Sequence, residues 1–129
     1  MRSLPFSRTI RSISSSLHAR HFIAGEWLDE DRFRSEKVLN PANGEVIGRQ
    51  SLGTVDLTER AIVVAKETFE TTAWSRSPRQ RSLALFRLAD LVEAHKDELI
   101  DLIVLENGKL RMDAGFEINT SINELRYYA

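Results

Sequence analysis

The chain has 129 residues, a formal net charge of -1 and no cysteine. Without cysteine it can form no disulfide, no Cys-ligated zinc or iron–sulfur site and no thiol nucleophile. The near-neutral charge argues against a nucleic-acid-binding surface, and no apolar run approaches the roughly 20 residues of a membrane-spanning helix. The length suits one ordinary domain with a hydrophobic core.

Residues 1–20 differ in composition from the rest of the chain. They contain four arginines, six serines and no acidic residue. This composition predicts a mitochondrial transit peptide, and therefore a location in the mitochondrial matrix rather than the cytoplasm. A disordered basic tail and a retained interfacial helix are the alternatives. On a helix, an apolar stripe of Phe6, Ile10, Ile13 and Leu17 would lie opposite Arg8 and Arg11.

The next part of the chain predicts short strands. Segments 21–28 and 33–41 are joined by the polar tetrad Asp29–Arg32, which predicts an antiparallel β-hairpin with a long loop. The acidic residues of this loop are better explained as a solvated turn than as a cation site. Pro41 and the Asn43-Gly44 pair then predict a turn, and 45–53 a third short strand.

Helical signals dominate from residue 56 onward, and the first two predicted helices have clear starts. Asp56–Glu59 resembles a capping box, and Ser77 is a good N-cap followed by Pro78 at the first helical position. The second helix should end near His95. The predicted apolar stripes are Leu57, Ala61, Ala65 and Phe69 in the first helix, and Leu85, Leu88, Ala89 and Val92 in the second.

Two further amphipathic helices complete the predicted fold. The third starts near Asp97 and stops at Asn107-Gly108, and the fourth runs from about Asp113 to the last residue. Residues 21–129 are thus predicted to be α+β, with an N-terminal antiparallel hairpin and short strands followed by about four helices. The stripes are Leu99, Ile100, Ile103 and Val104, then Ala114, Ile118, Ile122 and Leu125.

No catalytic motif is found in these elements. The glycines form no Gly-x-Gly-x-x-Gly, and Gly108-Lys109 lacks the rest of a phosphate-binding loop because Ile103 and Leu110 occupy key positions. The three histidines make no metal-ligand pair on one helix face, and His95 is better explained as a helix C-cap. The residues alone therefore indicate no reaction.

Five segments of the chain carry a resemblance to a known family: His21–Trp27, Asn40–Ile47, Leu88–Glu93, Glu106–Lys109 and Leu125–Ala129. In this order and at these separations, they resemble the N-terminal part of the NAD(P)-dependent aldehyde dehydrogenase superfamily. Trp74 and the Ser77-Pro78 helix start lie between them as expected. The resemblance implies an α/β family fold, of which residues 21–129 would be the N-terminal part, before the nucleotide-binding core.

The resemblance also implies a reaction. The family oxidises an aldehyde by thiolate attack, hydride transfer to nicotinamide and thioester hydrolysis with a glutamate base. The motifs for the cysteine, the glutamate and the Gly-rich cofactor turn lie beyond the point matching Ala129. We therefore expect a truncated N-terminal fragment that binds neither NAD nor NADP and has no dehydrogenase activity alone. The alternative is a non-catalytic module that packs on a full-length relative.

Further site and partner expectations follow from the resemblance. Some family members hold a monovalent cation between backbone carbonyls matching Val38 and Leu39 and an acidic side chain matching Glu106. Aspartate is commoner at the last position, and an exposed helix-end residue is the alternative explanation for Glu106. The Arg126–Tyr128 stretch is expected to pack, without a catalytic role. The full-length family acts on aldehydes and is typically homo-oligomeric.

Overall fold

The computed structural model describes residues 17–28 and 32–129. The chain divides into two compact units, residues 1–62 and 63–129. The strands of the described residues all belong to the first unit, and most of the helical residues belong to the second. The α+β composition and the predicted order of strands before helices are confirmed.

The first unit contains five short strands among its described residues. They are β1 (His18–Ala19), β2 (Phe22–Ile23), β3 (Glu26–Trp27), β4 (Ser35–Leu39) and β5 (Val46–Ser51). Strands β1, β5 and β4 form a sheet in that order, while β2 and β3 form a separate antiparallel pair. Strand β5 is central because it pairs parallel with β1 and antiparallel with β4.

The predicted pairing of 21–28 with 33–41 is wrong. Segment 21–28 folds back on itself, with Phe22 opposite Trp27. The turn residues Ala24 and Gly25 have φ angles of 57° and 82°, the positive values that a tight two-residue hairpin turn requires at both positions. Because segment 21–28 pairs within itself, segment 33–41 pairs with a different strand.

That partner is the third predicted strand, which is confirmed as β5. The loop between β4 and β5 closes through a 2.8 Å hydrogen bond from the Asn40 N–H to the Glu45 carbonyl. Gly44, at φ 72°, supplies the positive φ expected of the Asn-Gly pair. The Asn43 side-chain oxygen accepts from the Glu45 N–H at 3.0 Å. Local turn chemistry therefore sets this strand pairing.

Strand β1 depends on a close backbone approach at Gly48. This residue is buried, and a Cβ there would lie 2.9 Å from the Leu17 carbonyl oxygen. The same carbonyl accepts a hydrogen bond from the Arg49 N–H at 3.0 Å. Only glycine allows this contact without displacement of the chain.

The predicted leader overlaps this sheet. Residues 1–16, which include Phe6, Ile10 and Ile13, lie outside the described residues, as do Asp29–Asp31. Leu17 is not helical, so the predicted helical stripe does not extend to it. The transit peptide stays a prediction, but its boundary at residue 20 would include β1.

The described residues form four helices. They are α1 (Val55–Thr71), α2 (Pro78–Ala94), α3 (Lys96–Asn107) and α4 (Arg111–Tyr128). Each helix starts within two residues of its predicted start.

The predicted helix signals act as expected at two positions. The Ser77 hydroxyl accepts from the Gln80 N–H at 3.3 Å at the start of α2. Gly108 ends α3 in the left-handed conformation, at φ 68°. The first helix differs, because Thr54 and not Asp56 is its cap: the Thr54 hydroxyl accepts from the Leu57 N–H at 3.2 Å.

Helices α2, α3 and α4 pack together in the second unit. Ala89 and Ala114 are fully buried, and three isoleucines are at least 91% buried beside them. The predicted stripes of α3 and α4 face this core, whereas Leu88 of α2 is 46% exposed. Helix α1 buries no residue fully: of its predicted stripe, Leu57 and Ala61 are half-buried, whereas Ala65 and Phe69 are exposed. The isoleucines are Ile100, Ile118 and Ile122, and Val92, Leu99, Ile103, Val104 and Leu125 pack around them.

Replacing Ile122 by alanine should test this core. Ile122 is 3% exposed, so Ile122→Ala is expected to lower the free energy of unfolding by about 2–5 kcal/mol through lost burial and a residual cavity. Met112→Ala on the same helix is the control, because Met112 is 77% exposed and should change stability by less than about 0.5 kcal/mol. Urea unfolding followed by circular dichroism measures both, and equal effects would contradict the packing.

Candidate functional site

An open pocket of about 390 Å³ lies in the second unit. It is formed by the loop before α2, the first turns of α2 and the end of α4. Its lining contains no histidine, cysteine or acidic side chain, so no side chain in it can serve as a general base or a typical metal ligand. The lining residues are Trp74, Pro78, Arg81, Ser82, Leu85, Tyr128 and Ala129.

Arg81 fixes one wall of this pocket. Its Nη1 donates to the carbonyl oxygens of Trp74 at 2.6 Å and Ser75 at 3.3 Å. The Trp74 N–H in turn donates to the Thr72 hydroxyl at 3.2 Å. Because the guanidinium binds the main chain of the loop, it holds the loop that carries Trp74 close to α2. The side chains of Trp74, Pro78 and Leu85 give the pocket apolar lining, which can receive an apolar or aromatic group.

A cluster of three charged side chains joins α4 to α2. Arg126 Nη2 donates to Glu93 Oε2 at 2.6 Å and to Asp90 Oδ1 at 3.0 Å. These hydrogen bonds, with Glu93 the larger contributor, raise the pKa of Arg126 above its usual value. Like any arginine, it is charged throughout the physiological range, so both contacts are charge-assisted hydrogen bonds. The cluster agrees with the packing role expected for this stretch.

Sequence reasoning did not identify the two carboxylates that bind Arg126. Both belong to the Leu88–Glu93 segment, one of the five that resemble the family. Their spacing of three residues places them on one face of α2, which is the signal that could have indicated a shared cation.

Polar contacts at the ends of α3 also match its predicted boundaries. The His95 N–H donates to the Leu91 carbonyl at the end of α2, as expected of a C-cap. Lys109 Nζ donates to Glu117 Oε1 at 2.6 Å, and Arg111 pairs with Asp97 and Asp101. Arg111 of α4 thus binds α3, and Lys109, in the loop between the two helices, binds α4. These pairs are structural in character.

The predicted cation ligands lie in different units. Val38 and Leu39 are in β4, where the pairing register shifts between them, and Glu106 is an exposed residue near the end of α3. In residues 17–28 and 32–129 no group of three or more acidic or histidine side chains could hold a metal ion. The predicted site takes two of its three ligands from the main chain, so it stays a prediction.

The strand-to-helix turn from β5 to α1 does not have the sequence of a dinucleotide-binding turn. It has a single glycine, Gly53, where a dinucleotide-binding turn needs several. Thr54 uses its hydroxyl to cap α1.

Comparison with known proteins identifies the family to which these elements belong. The family model described as "Aldehyde dehydrogenase family" matches residues 27–129. The chain belongs to the aldehyde dehydrogenase family. The resemblance carried by the five sequence segments is confirmed.

Similar curated proteins are several times longer than this aldehyde dehydrogenase family chain. A Schizosaccharomyces pombe succinate-semialdehyde dehydrogenase [NADP(+)] 2 is 38% identical over 87% of this chain, which spans 22% of that protein. The mouse cytosolic 10-formyltetrahydrofolate dehydrogenase is 32% identical over 95% of this chain and 14% of its own length. The chain thus spans about a fifth or less of these relatives.

Solved structures give the same result. A Staphylococcus aureus betaine aldehyde dehydrogenase, in complex with NAD+, matches with a TM-score of 0.83 and 29% identity over 93% of this chain and 24% of its own. A Sinorhizobium meliloti NAD-dependent aldehyde dehydrogenase matches with a TM-score of 0.82 at 26% identity, over 90% of this chain and 24% of its own.

Within the described part of the chain, no helix is long and apolar enough to cross a membrane.

The cation site can be tested by unfolding the protein in different salts. NaCl or KCl should raise Tm above that in choline chloride at equal ionic strength, because a bound ion stabilises the folded state by about 1.4 kcal/mol at tenfold excess over Kd. Glu106→Gln should remove this difference, whereas Glu124→Gln, at an exposed position of α4, should retain it. Equal Tm values in all three salts would contradict the site.

Proposed function

We propose that this chain is the N-terminal segment of an aldehyde dehydrogenase and contributes structure rather than reacting groups to its active enzyme. The reaction converts an aldehyde, NAD(P)+ and water to a carboxylate and NAD(P)H. The observation that carries the proposal is the family match over residues 27–129 in a chain that spans 22% of its S. pombe relative and has no cysteine.

In such an enzyme, this chain and the remaining residues would supply different groups. The thiolate that attacks the aldehyde cannot come from a chain without cysteine. The pocket beside Trp74 has no general base in its lining. What the chain supplies is a packed set of helices, joined at the surface by Arg126, against which other parts of an enzyme can be positioned.

The substrate is proposed only as an aldehyde. Relatives are named for succinate semialdehyde and malonate semialdehyde, and a solved structure is of a betaine aldehyde dehydrogenase. One relative is named for NADP(+), and one solved structure contains NAD+. These names support the use of either cofactor by the whole enzyme. The assembled enzyme is proposed to be a homo-oligomer, as is typical of the family.

An activity assay tests the proposal. The purified chain should form no NADH or NADPH at 340 nm from succinate semialdehyde. Co-expression with the S. pombe enzyme lacking its matching N-terminal segment should restore NADPH formation above that of the truncated enzyme alone. Turnover by this chain alone, or no restoration on co-expression, would refute the proposal. Binding without restored turnover would instead favour the non-catalytic module.

We also propose mitochondrial import by the basic leader, with a boundary before Leu17. The composition of residues 1–16 supports the leader. The boundary is supported by β1, because His18 and Ala19 pair with β5 and the Leu17 carbonyl accepts a hydrogen bond from the Arg49 N–H. Cleavage at Arg20 would remove β1 from the sheet.

Incubation of the chain with isolated mitochondria tests this location. The protected product should have a new N-terminus at or before Leu17, as read by mass spectrometry. Replacement of Arg2, Arg8 and Arg11 by glutamate should abolish protection, because the leader would lose its positive charge. A product that begins after Arg20 would contradict the boundary, and import of the glutamate variant would contradict the leader.

A further inference from the structure

One face of the sheet formed by β1, β5 and β4 carries a row of three basic side chains. His18 of β1 is registered with Arg49 of β5, and Arg49 is registered with Lys37 of β4. Residues that are registered on neighbouring strands lie on the same face of a sheet, so the row crosses all three strands. At strand spacings of about 4.7–4.9 Å, the row is about 10 Å long.

Two serines complete this face of the sheet. Ser35 and Ser51 are registered with each other, and the alternation of side chains along a strand places them on the side of the basic row. Arg49 Nε donates to Ser35 Oγ at 3.0 Å. His18 Nε2 is hydrogen-bonded to Ser51 Oγ, also at 3.0 Å. We call His18, Ser35, Lys37, Arg49 and Ser51 the basic face of the sheet.

The basic face holds like charges close together. Lys37 and Arg49 lie directly opposite each other, at a position where like charges destabilise a sheet. In the part of the chain that the structure describes, neither forms an ion pair with a carboxylate. Glu36 of β4 is registered with Gln50 and therefore belongs to the opposite face. Side chains about 5 Å apart are closer than the Debye length of about 8 Å at physiological salt, so dissolved ions screen this repulsion only in part.

Arg49 is held toward Lys37 rather than away from it. Its Nε is bound to Ser35, which belongs to the same strand as Lys37. This bond leaves the Nη groups of the exposed Arg49 side chain available as donors. A lysine on an edge strand such as β4 can prevent edge-to-edge pairing, but that role does not require an arginine of the central strand to be held beside it. A bound anion, in contrast, would stabilise both charges.

We propose that the basic face binds a phosphate group with two negative charges, as carried by inorganic phosphate or a phosphate monoester. The oxygens of such a group accept from the Arg49 Nη groups, the Lys37 ammonium and the serine hydroxyls. Two neighbouring cations match a doubly charged anion, whereas a carboxylate carries a single charge. This site does not depend on the proposed function, and it uses none of the residues that line the pocket beside Trp74.

Larger anionic partners suit the basic face less well. Nucleic acids and anionic membranes are bound by several basic side chains spread over a wide surface. The row is only about 10 Å long, and the whole chain has a net charge of -1. The ligand is therefore expected to be a small soluble molecule.

An NMR titration of the nitrogen-15-labelled full chain tests the site. Sodium phosphate is added at about pH 8, where a phosphate group carries close to two negative charges, and sodium chloride at equal ionic strength is the reference. Phosphate, and phenyl phosphate as a monoester, should shift the backbone amide signals of residues 35–37 and 49–51 until they saturate. Lys37→Gln and Arg49→Gln should each raise Kd about tenfold or more, the loss expected for one charge-assisted hydrogen bond.

Arg34→Gln is the matched control. It also removes a positive charge beside β4, but Arg34 pairs with Glu36 of the opposite face at 3.9 Å. This variant should therefore change Kd by less than about twofold, because only screened, longer-range attraction is lost.

Thermal unfolding separates binding from a purely structural role of Lys37. Without phosphate, Lys37→Gln should unfold at the same Tm as the unsubstituted chain or at a higher one, because it removes repulsion from the sheet. With saturating phosphate the order should reverse, since the unsubstituted chain is stabilised more by the bound anion. A lower Tm for Lys37→Gln without phosphate would overturn the proposal, because Lys37 would then stabilise the sheet without an anion.

Other outcomes would also overturn the site. These are equal signal shifts in phosphate and chloride, and an unchanged Kd for Lys37→Gln and Arg49→Gln. Vesicles that contain phosphatidylglycerol and a single-stranded oligonucleotide are titrated in parallel at equal phosphate concentration. Tighter binding of either one than of inorganic phosphate would identify a membrane or nucleic-acid surface in place of a site for a small ligand.

Discussion

The helical unit depends on two alanines that permit its helices to pack closely. Ala89 of α2 and Ala114 of α4 are fully buried in one core cluster, and a larger side chain at either position would force the helices apart. Arg126 joins the same two helices at the surface through Glu93 and Asp90. The pocket between the start of α2 and the end of α4 therefore exists because these helices are held at short range.

Elements set by local chemistry could be predicted from the sequence. Ser77 caps α2 and Gly108 ends α3, as expected, because each residue type has a conformation or hydrogen bond that its neighbours cannot supply. The pairing of strands was harder. An alanine at positive φ, Ala24, gives no signal in the sequence, yet with Gly25 it closes the first hairpin and redirects β4 to β5.

Contacts between distant residues were less predictable still. Arg126 lies 36 residues from Asp90, a separation that no periodicity can relate. The apolar stripes identified the helices but did not show which residues pack on them, and α1 leaves Ala65 and Phe69 of its stripe exposed. For the site, individual side chains indicated no reaction, and the order of five family-like segments carried the identification. The ligands Val38, Leu39 and Glu106 remain predicted, since they lie in different units.

The exposed apolar side chains of α4 affect synthesis on the ribosome. The core of α2, α3 and α4 uses residues close together in the chain, so it can form soon after it emerges. In a subunit several times longer, the remaining chain would follow at about 5–20 residues per second, which leaves Met112, Phe116 and Tyr127 exposed for tens of seconds. The polar residues Asn119, Thr120 and Asn123 lie between them on the helix surface, and they limit premature association during that interval.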